Sequence, residues 1–275
     1  AAQWDIADGN ITVKAGDAEG TNRVTQGEKD VEDTDTVITG ESKENTVTID
    51  TSGGDVDVTF DDLKIDASSG NEAAVSVTGK GDTNIELDGK NELKSGSYNA
   101  GLEKNGHESS GKLTIKDDND TKGSLTAEGG GDGGAGIGGG MESTGSNITI
   151  RGGTIEAEGG SNAAGIGDGA GRASDDTDDP NPGKLYICGD AEVTAKAGSQ
   201  ILDAKAPAIG GTYGEVPTES LSDADHKVTG GRLTRLNADG TVMEGMGYDY
   251  TSTPKPQPDD DEDDDDDICL LYTSP

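Results

Sequence analysis

Five approximate copies of one unit run through the middle of the chain, beginning near residues 54, 83, 112, 147 and 184. Such a period, of about 29 to 37 residues, is the mark of a repeat architecture and governs every later assignment. Each unit holds three short segments in which apolar residues recur at i and i+2, the period of a half-buried strand. The first unit has Val56/Val58, Leu63/Ile65 and Val75/Val77; the second has Ile85/Leu87, Leu93 and Leu102; the third has Leu113/Ile115, Leu125/Ala127 and Ile137. The fourth has Ile148/Ile150, Ile155/Ala157 and Ile166, and the fifth Leu185/Ile187, Val193/Ala195 and Ile209. Three strands per unit make one three-sided turn, and stacked turns set equivalent strands parallel and in register about 4.8 Å apart. The predicted fold is all-β: a right-handed parallel β-helix, a solenoid of about five turns with irregular N- and C-terminal caps.

Composition alone points elsewhere. Only 29% of the residues are hydrophobic and 3% aromatic, 45 are glycine, and 56 acids against 21 bases give a net charge of −35. Low hydrophobicity with high charge is a signature of disorder. The repeat answers it: small aliphatic side chains in narrow columns need no large aromatic core, because each turn buries its face against its neighbours. Glycine suits the corners, and Gly-Gly recurs where a corner is due, at 53–54, 129–131, 152–153 and 159–160. The charge repels phosphates and anionic head groups, which argues against nucleic acid as a partner. No apolar run approaches the roughly 20 residues of a membrane span, which argues against membrane insertion.

The chain divides into residues 1–53, N-terminal strands and cap; 54–214, the repeats; 215–253, a C-terminal cap or hairpin; 254–267, a Pro-rich acidic linker; and 268–275, a non-native tail. In the linker, Pro254-Lys-Pro-Gln-Pro258 precedes nine consecutive acids, a self-repelling extended segment. Those nine leave −26 of the −35 to the rest of the chain. The closing octapeptide changes composition abruptly and resembles translated sequencing-adapter read-through, so it is set aside. The start, Ala1-Ala-Gln-Trp4, fits a processed protein or an internal fragment. With Cys269 set aside, Cys188 stands without a disulfide partner. Before the repeats, residues 6–13 and 37–49 read as strands of an incomplete capping turn. After them, residues 226–242 read as a hairpin or last rung, with Met243, Met246, Tyr248 and Tyr250 packing over it.

Ala135-Gly-Ile-Gly-Gly-Gly140, then Ile148-Thr-Ile-Arg-Gly-Gly-Thr-Ile155 and Ala164-Gly-Ile-Gly167, resemble the β-helical repeat regions of bacterial cell-surface proteins labelled carbohydrate-binding domain-containing. The likeness runs from about Trp4 to Tyr250 and is strongest from Leu113 to Ala197. It implies a pectate-lyase-like fold, and a related group is associated with calcium and with acidic plant polysaccharide such as polygalacturonate. The second unit, Asn99-Ala-Gly-Leu102, lacks the Gly run, and the fifth reads Pro207-Ala-Ile-Gly210, which departs from binding on every rung.

Two acidic loops are the candidate metal ligands: Asp117, Asp118 and Asp120 in one, Asp175, Asp176, Asp178 and Asp179 in the other. Hard carboxylate oxygens on loops suit Ca²⁺, while the plain alternative is a pair of solvated acidic loops. The first is no EF-hand, since Lys122 falls at a ligand position and the twelfth residue from Asp118 is Gly129. Gly131-Asp-Gly-Gly-Ala-Gly136 spells a dinucleotide fingerprint, but no helix is predicted after it and it reads as a corner.

No catalytic residues are assigned. His107 and His226 lie far apart in the repeat scheme without a Ser or Cys partner. A lyase of this fold would need a cationic base, for which Arg151 and Lys116 are conceivable, yet Cys188 stands at the Arg151 position one unit on. Trp4, Phe60, Tyr98, Tyr186, Tyr213, Tyr248 and Tyr250 form no repeating ladder for stacking sugars. The expected function is a non-catalytic, extracellular or cell-wall-associated module that binds polysaccharide, a polyuronate or a host cell-surface glycan, or acts as an adhesin. At this charge, an acidic polysaccharide would need bridging Ca²⁺. A structural spacer, and then a polysaccharide lyase or glycoside hydrolase, are the alternatives.

Overall fold

The computed structural model describes residues 2–145, 147–171, 184–200, 206–211, 214–216, 226–245 and 248–249. These form strands throughout, with one 3₁₀ turn, Ile6–Asp8, whose Ala7 amide donates to the Asp5 side chain at 2.9 Å.

The repeat units pair strand by strand. Leu113–Lys116 pairs in parallel with Ile148–Ile150, which pairs with Leu185–Ile187 and that in turn with His226–Val228. Gly123–Glu128, Thr154–Glu158, Glu192–Lys196 and Arg232–Leu236 form a second parallel series. Val47–Asp50, Val75–Thr78, Leu102–Glu103, Ile137–Gly138, Ile166–Gly167 and Ile209–Gly211 form a third. The third series lies in a 10-stranded sheet and the other two share a 13-stranded one.

They share it because two strands run through both positions. Val56–Asp66 and Thr83–Lys94 are continuous where the apolar pattern suggested two segments each. Their pairing shifts register between Asp61 and Lys64, at the bend where Asp62 has φ +50° and Gly89 φ +64°. The left-handed φ of Gly89 favours glycine there, and a Cβ would also displace the Asp62 carboxylate, whose Oδ1 would lie 2.3 Å away.

In-register pairing stacks like on like. Val58, Ile85, Ile115, Ile150, Ile187 and Val228 form one column, each at most 4% exposed. Ile11, Val47, Val75, Leu102, Ile137, Ile166 and Ile209 form another. These columns are the core, and they account for a buried interior built almost wholly from Val, Ile, Leu and Ala. One corner carries a matching glycine ladder. A Cβ on Gly130, Gly160 or Gly198 would lie 1.9, 1.8 or 1.7 Å from the carbonyl oxygen of Gly96, Gly130 or Gly160 respectively. The close approach of neighbouring backbones excludes any side chain.

At the N-terminal end, Ile11–Ala15 pairs in parallel with Val47–Asp50, as a capping turn requires. An antiparallel hairpin, Asn22–Gln26 with Lys29–Asp33, extends that sheet. Its stretch is too polar to show a strand period, and it is anchored by Trp4, whose Nε1 donates to Asp33 Oδ2 at 2.9 Å. At the other end, Arg232–Leu236 is a further parallel strand, and an antiparallel partner, Tyr248–Asp249, covers part of it. Met243 packs against the core; the side chains of Met246, Tyr248 and Tyr250 lie outside the described residues. Cys188 is buried and is not a free cysteine, where the sequence left it without a partner.

Candidate functional site

Asp117, Asp118 and Asp120 follow the strand Leu113–Lys116, and the structure shows where each is directed. Asp118 takes a charge-assisted hydrogen bond from Arg151 Nη2, and Lys116 Nζ lies 3.4 Å from the same Asp118 oxygen. Lys116 also lies 3.6 Å from Glu86 Oε2. Glu86 Oε1 accepts the Asp118 and Asn119 amides at 2.7 and 3.1 Å, and Asp88 Oδ1 accepts Asn119 Nδ2 at 2.6 Å. Asp117 Oδ2 accepts the Gly123 amide at 3.3 Å, while its Oδ1 is buried without a hydrogen-bond partner. Asp120 is exposed.

The cations that meet Asp118 are thus the protein's own, and two backbone amides pin the loop to Glu86 on the neighbouring strand Thr83–Lys94. Among the described residues, no three His, Cys, Asp or Glu side chains are grouped to hold a metal ion. Asp117, Asp118 and Asp120 do not by themselves make the convergent oxygen cage that Ca²⁺ takes. Asp175, Asp176, Asp178 and Asp179 lie outside the described residues. The Gly131–Gly136 string leads into a strand, Ile137–Gly138, and not a helix. Among the aromatic side chains described, Trp4, Phe60 and Tyr186 are buried and Tyr98 is exposed. His107 is exposed, 3.5 Å from Glu108.

A groove of about 450 Å³ opens elsewhere, on the solvent face of the second strand series. Its volume falls within the roughly 300–1,000 Å³ of small-molecule sites. Glu41, Ser42, Lys43, Lys64, Asp66, Glu92, Lys94, Thr126 and Glu128 supply its polar lining, and Ile65 and Leu93 lie between them. The strand period explains the arrangement. In Lys64-Ile65-Asp66 and Glu92-Leu93-Lys94 the central residue points into the core, at 2% and 1% exposure, and its neighbours point out.

Register then sets the charges. Glu41 pairs with Lys64 and Lys64 with Glu92; Asp66 pairs with Lys94; Glu92 and Lys94 pair with Thr126 and Glu128. Lys43, one residue beyond the paired Ser42, draws the Asp66 carboxyl toward its charged form, as Lys94 does. The rows read minus–plus, plus–minus, minus–plus: a checkerboard. Lys64 Nζ lies 3.3 Å from Glu41 Oε1, and Lys94 Nζ 3.0 Å from Glu128 Oε2. Hydrogen bonds from Ser68 hold Asp66 below its ordinary pKa, with Lys94 and Lys43 contributing. The hydrogen bond to Glu128 raises Lys94. Both shifts favour the charged form, and the paired side chains sit partly in water.

The groove residues went unread in the sequence, although their signal is there. Glu41-Ser-Lys43, Lys64-Ile-Asp66 and Glu92-Leu-Lys94 are charged–nonpolar–charged or charged–small–charged triplets at one position of successive units, with the sign inverted each time. No family model matches the chain, and no curated protein or solved structure matches it. No helix among the described residues is long and apolar enough to cross a membrane.

Proposed function

We propose that this chain is a non-catalytic polysaccharide-binding module of an extracellular or cell-wall-associated protein, with its strands wound as a right-handed parallel β-helix. In-register parallel pairing between equivalents one unit apart supports the winding: each strand meets its counterpart only after the chain has passed through the other series. The groove carries the functional reading. It offers exposed ammonium and carboxylate groups at strand spacing, about 14 Å from the Glu41 strand to the Thr126 strand at 4.8 Å per step. Sugar hydroxyls both donate and accept hydrogen bonds, and mixed charged groups satisfy both roles. The Pro-rich acidic stretch at residues 254–267 suits a tether to a surface.

The absence of an assigned catalytic set is part of the proposal. Arg151, the conceivable lyase base, is directed at Asp118, and a proton-abstracting group must instead face the substrate. The test is retention of the full chain on immobilised polysaccharides, neutral and acidic, with reducing-end and unsaturated-product assays alongside. The expected result is retention on at least one glycan, weakened by Lys64→Ala with Lys94→Ala, and no product. No retention on any glycan would favour a spacer, and released sugar ends would overturn the non-catalytic assignment.

A further inference from the structure

We infer that the groove selects an uncharged polyhydroxylated chain over a polyuronate, and does so without calcium. The inference rests on the proposed polysaccharide binding and names the ligand's charge class. The lining holds three lysines and four carboxylates, a net charge of −1, in a chain that carries −35. It is a nearly neutral window in an acidic protein. A polyanion entering it meets four carboxylates against three ammonium groups, and charges closer together than a Debye length, about 8 Å at physiological salt, are only partly screened from one another.

The checkerboard matters as much as the sum. A row of carboxylates along a polyuronate needs a row of cations, but going down either column of the groove the sign reverses at each of the first three strands. Glu41, Lys64 and Glu92 form one such column. An anion repeating at one strand spacing that meets Lys64 meets Glu41 or Glu92 on the next strand. Hydroxyl groups carry no such conflict, since each can donate to a carboxylate and accept from an ammonium. The internal ion pairs of the groove do not block this use. Lys64 and Glu41 have side chains 40% and 72% exposed, and exposed pairs are held weakly enough for a ligand to share them. Calcium is not needed in this scheme, because no like charges have to be bridged.

The experiment measures binding of the full chain to soluble neutral glucans, mannans and xylans and to polygalacturonate, all in chelator, at low and high salt. Neutral-glycan binding that changes less than about twofold with salt, and weakens about tenfold in both Lys64→Ala and Glu92→Ala, is expected. Polygalacturonate binding that falls steeply with salt, or strengthens in Glu92→Gln, would overturn this inference while leaving polysaccharide binding intact. So would polygalacturonate binding that appears only when calcium is restored. If no glycan of either class binds under any condition, the polysaccharide reading fails and this one with it.

Discussion

Arg235 Nη1 lies 2.7 Å from Glu215 Oε1 at a position wholly buried, in register with Ala195 on the neighbouring strand. The column that reads Ile65, Leu93, Ala127, Ala157 and Ala195 thus ends in a guanidinium. Glu215 answers it and also accepts the Ala208 and Ile209 amides at 2.6 and 3.0 Å. Arg235 donates further to Val216 O at 2.6 Å, but its Nε and Nη2 have no hydrogen-bond partner. Buried charge pairs are costly to break from one side, by about 3–5 kcal/mol, and often cheap to replace whole. Glu215→Ala is therefore expected to destabilise by that amount in urea unfolding, and Arg235→Met combined with Glu215→Gln by clearly less. Equal losses would show that the pair does not act as a unit.

Lys104 is a second buried charge. It is fully buried, donates to Ser109 O at 3.0 Å, and burial lowers its pKa from 10.5 to about 8. The lowered value means that the folded state resists protonation more than the unfolded one. Below about pH 8 the lysine is charged in both states and the full penalty, about 3 kcal/mol, is present. Between about 8 and 10.5 the unfolded chain binds the extra proton, so stability rises with pH. Lys104→Met should stabilise by up to about 3 kcal/mol at pH 7, with the gain fading toward pH 10.5. A gain that is constant across this range would contradict the assignment.

Asn91 joins three strands from a position with no exposure. Its Oδ1 accepts the Leu63 amide at 2.8 Å, and its Nδ2 donates to Asp88 O and Ser124 O, each at 3.1 Å. It pairs in register with Leu125 and so heads an otherwise aliphatic column. Asn91→Leu matches that column but strands the Leu63 amide, at about 1–3 kcal/mol for a buried unsatisfied donor. The expected signature is a loss of stability together with faster hydrogen exchange at Leu63. Unchanged exchange there would separate the amide from the side chain.

The glycine ladder allows a controlled comparison. A Cβ at position 160 would meet the Gly130 carbonyl oxygen at 1.8 Å, whereas one at Gly131 meets nothing within 4 Å. Gly160→Ala should cost about 1–3 kcal/mol, as overpacking does, and Gly131→Ala should fall within about 0.5 kcal/mol of the parent. Thermal melts of the two variants decide it, and similar shifts would show that close approach is not what selects glycine.

Much of this protein was legible before its tertiary structure. The five units, their three apolar segments and the alternation that drives pairing all follow from a two-residue period repeated at a nearly constant interval. So do the glycine corners at 129–130 and 159–160, because a backbone that must pass close to its neighbour leaves no room for a side chain, although Gly131 beside them has open space. The N-terminal hairpin was not legible, since its strands are held by Trp4 and by backbone pairing and carry little apolar pattern of their own. The continuous strands Val56–Asp66 and Thr83–Lys94 were hidden by a bend whose partner, Asn91, looks like any polar loop residue in isolation.

The same distinction separates the two candidate sites. Asp117, Asp118 and Asp120 stand out because they are adjacent in the chain, yet Arg151 and Lys116 reach Asp118 from residues that pattern alone could not aim. The groove is the reverse case: Glu41, Lys64 and Glu92 are 23 and 28 positions apart, and register makes them neighbours. Sequence by itself determined the strand period, the repeat and the overall charge, which are local or additive properties. Only the tertiary structure decided which charges face one another, because a cross-strand pair depends on register, and register is settled by the packing of whole columns rather than by any single unit.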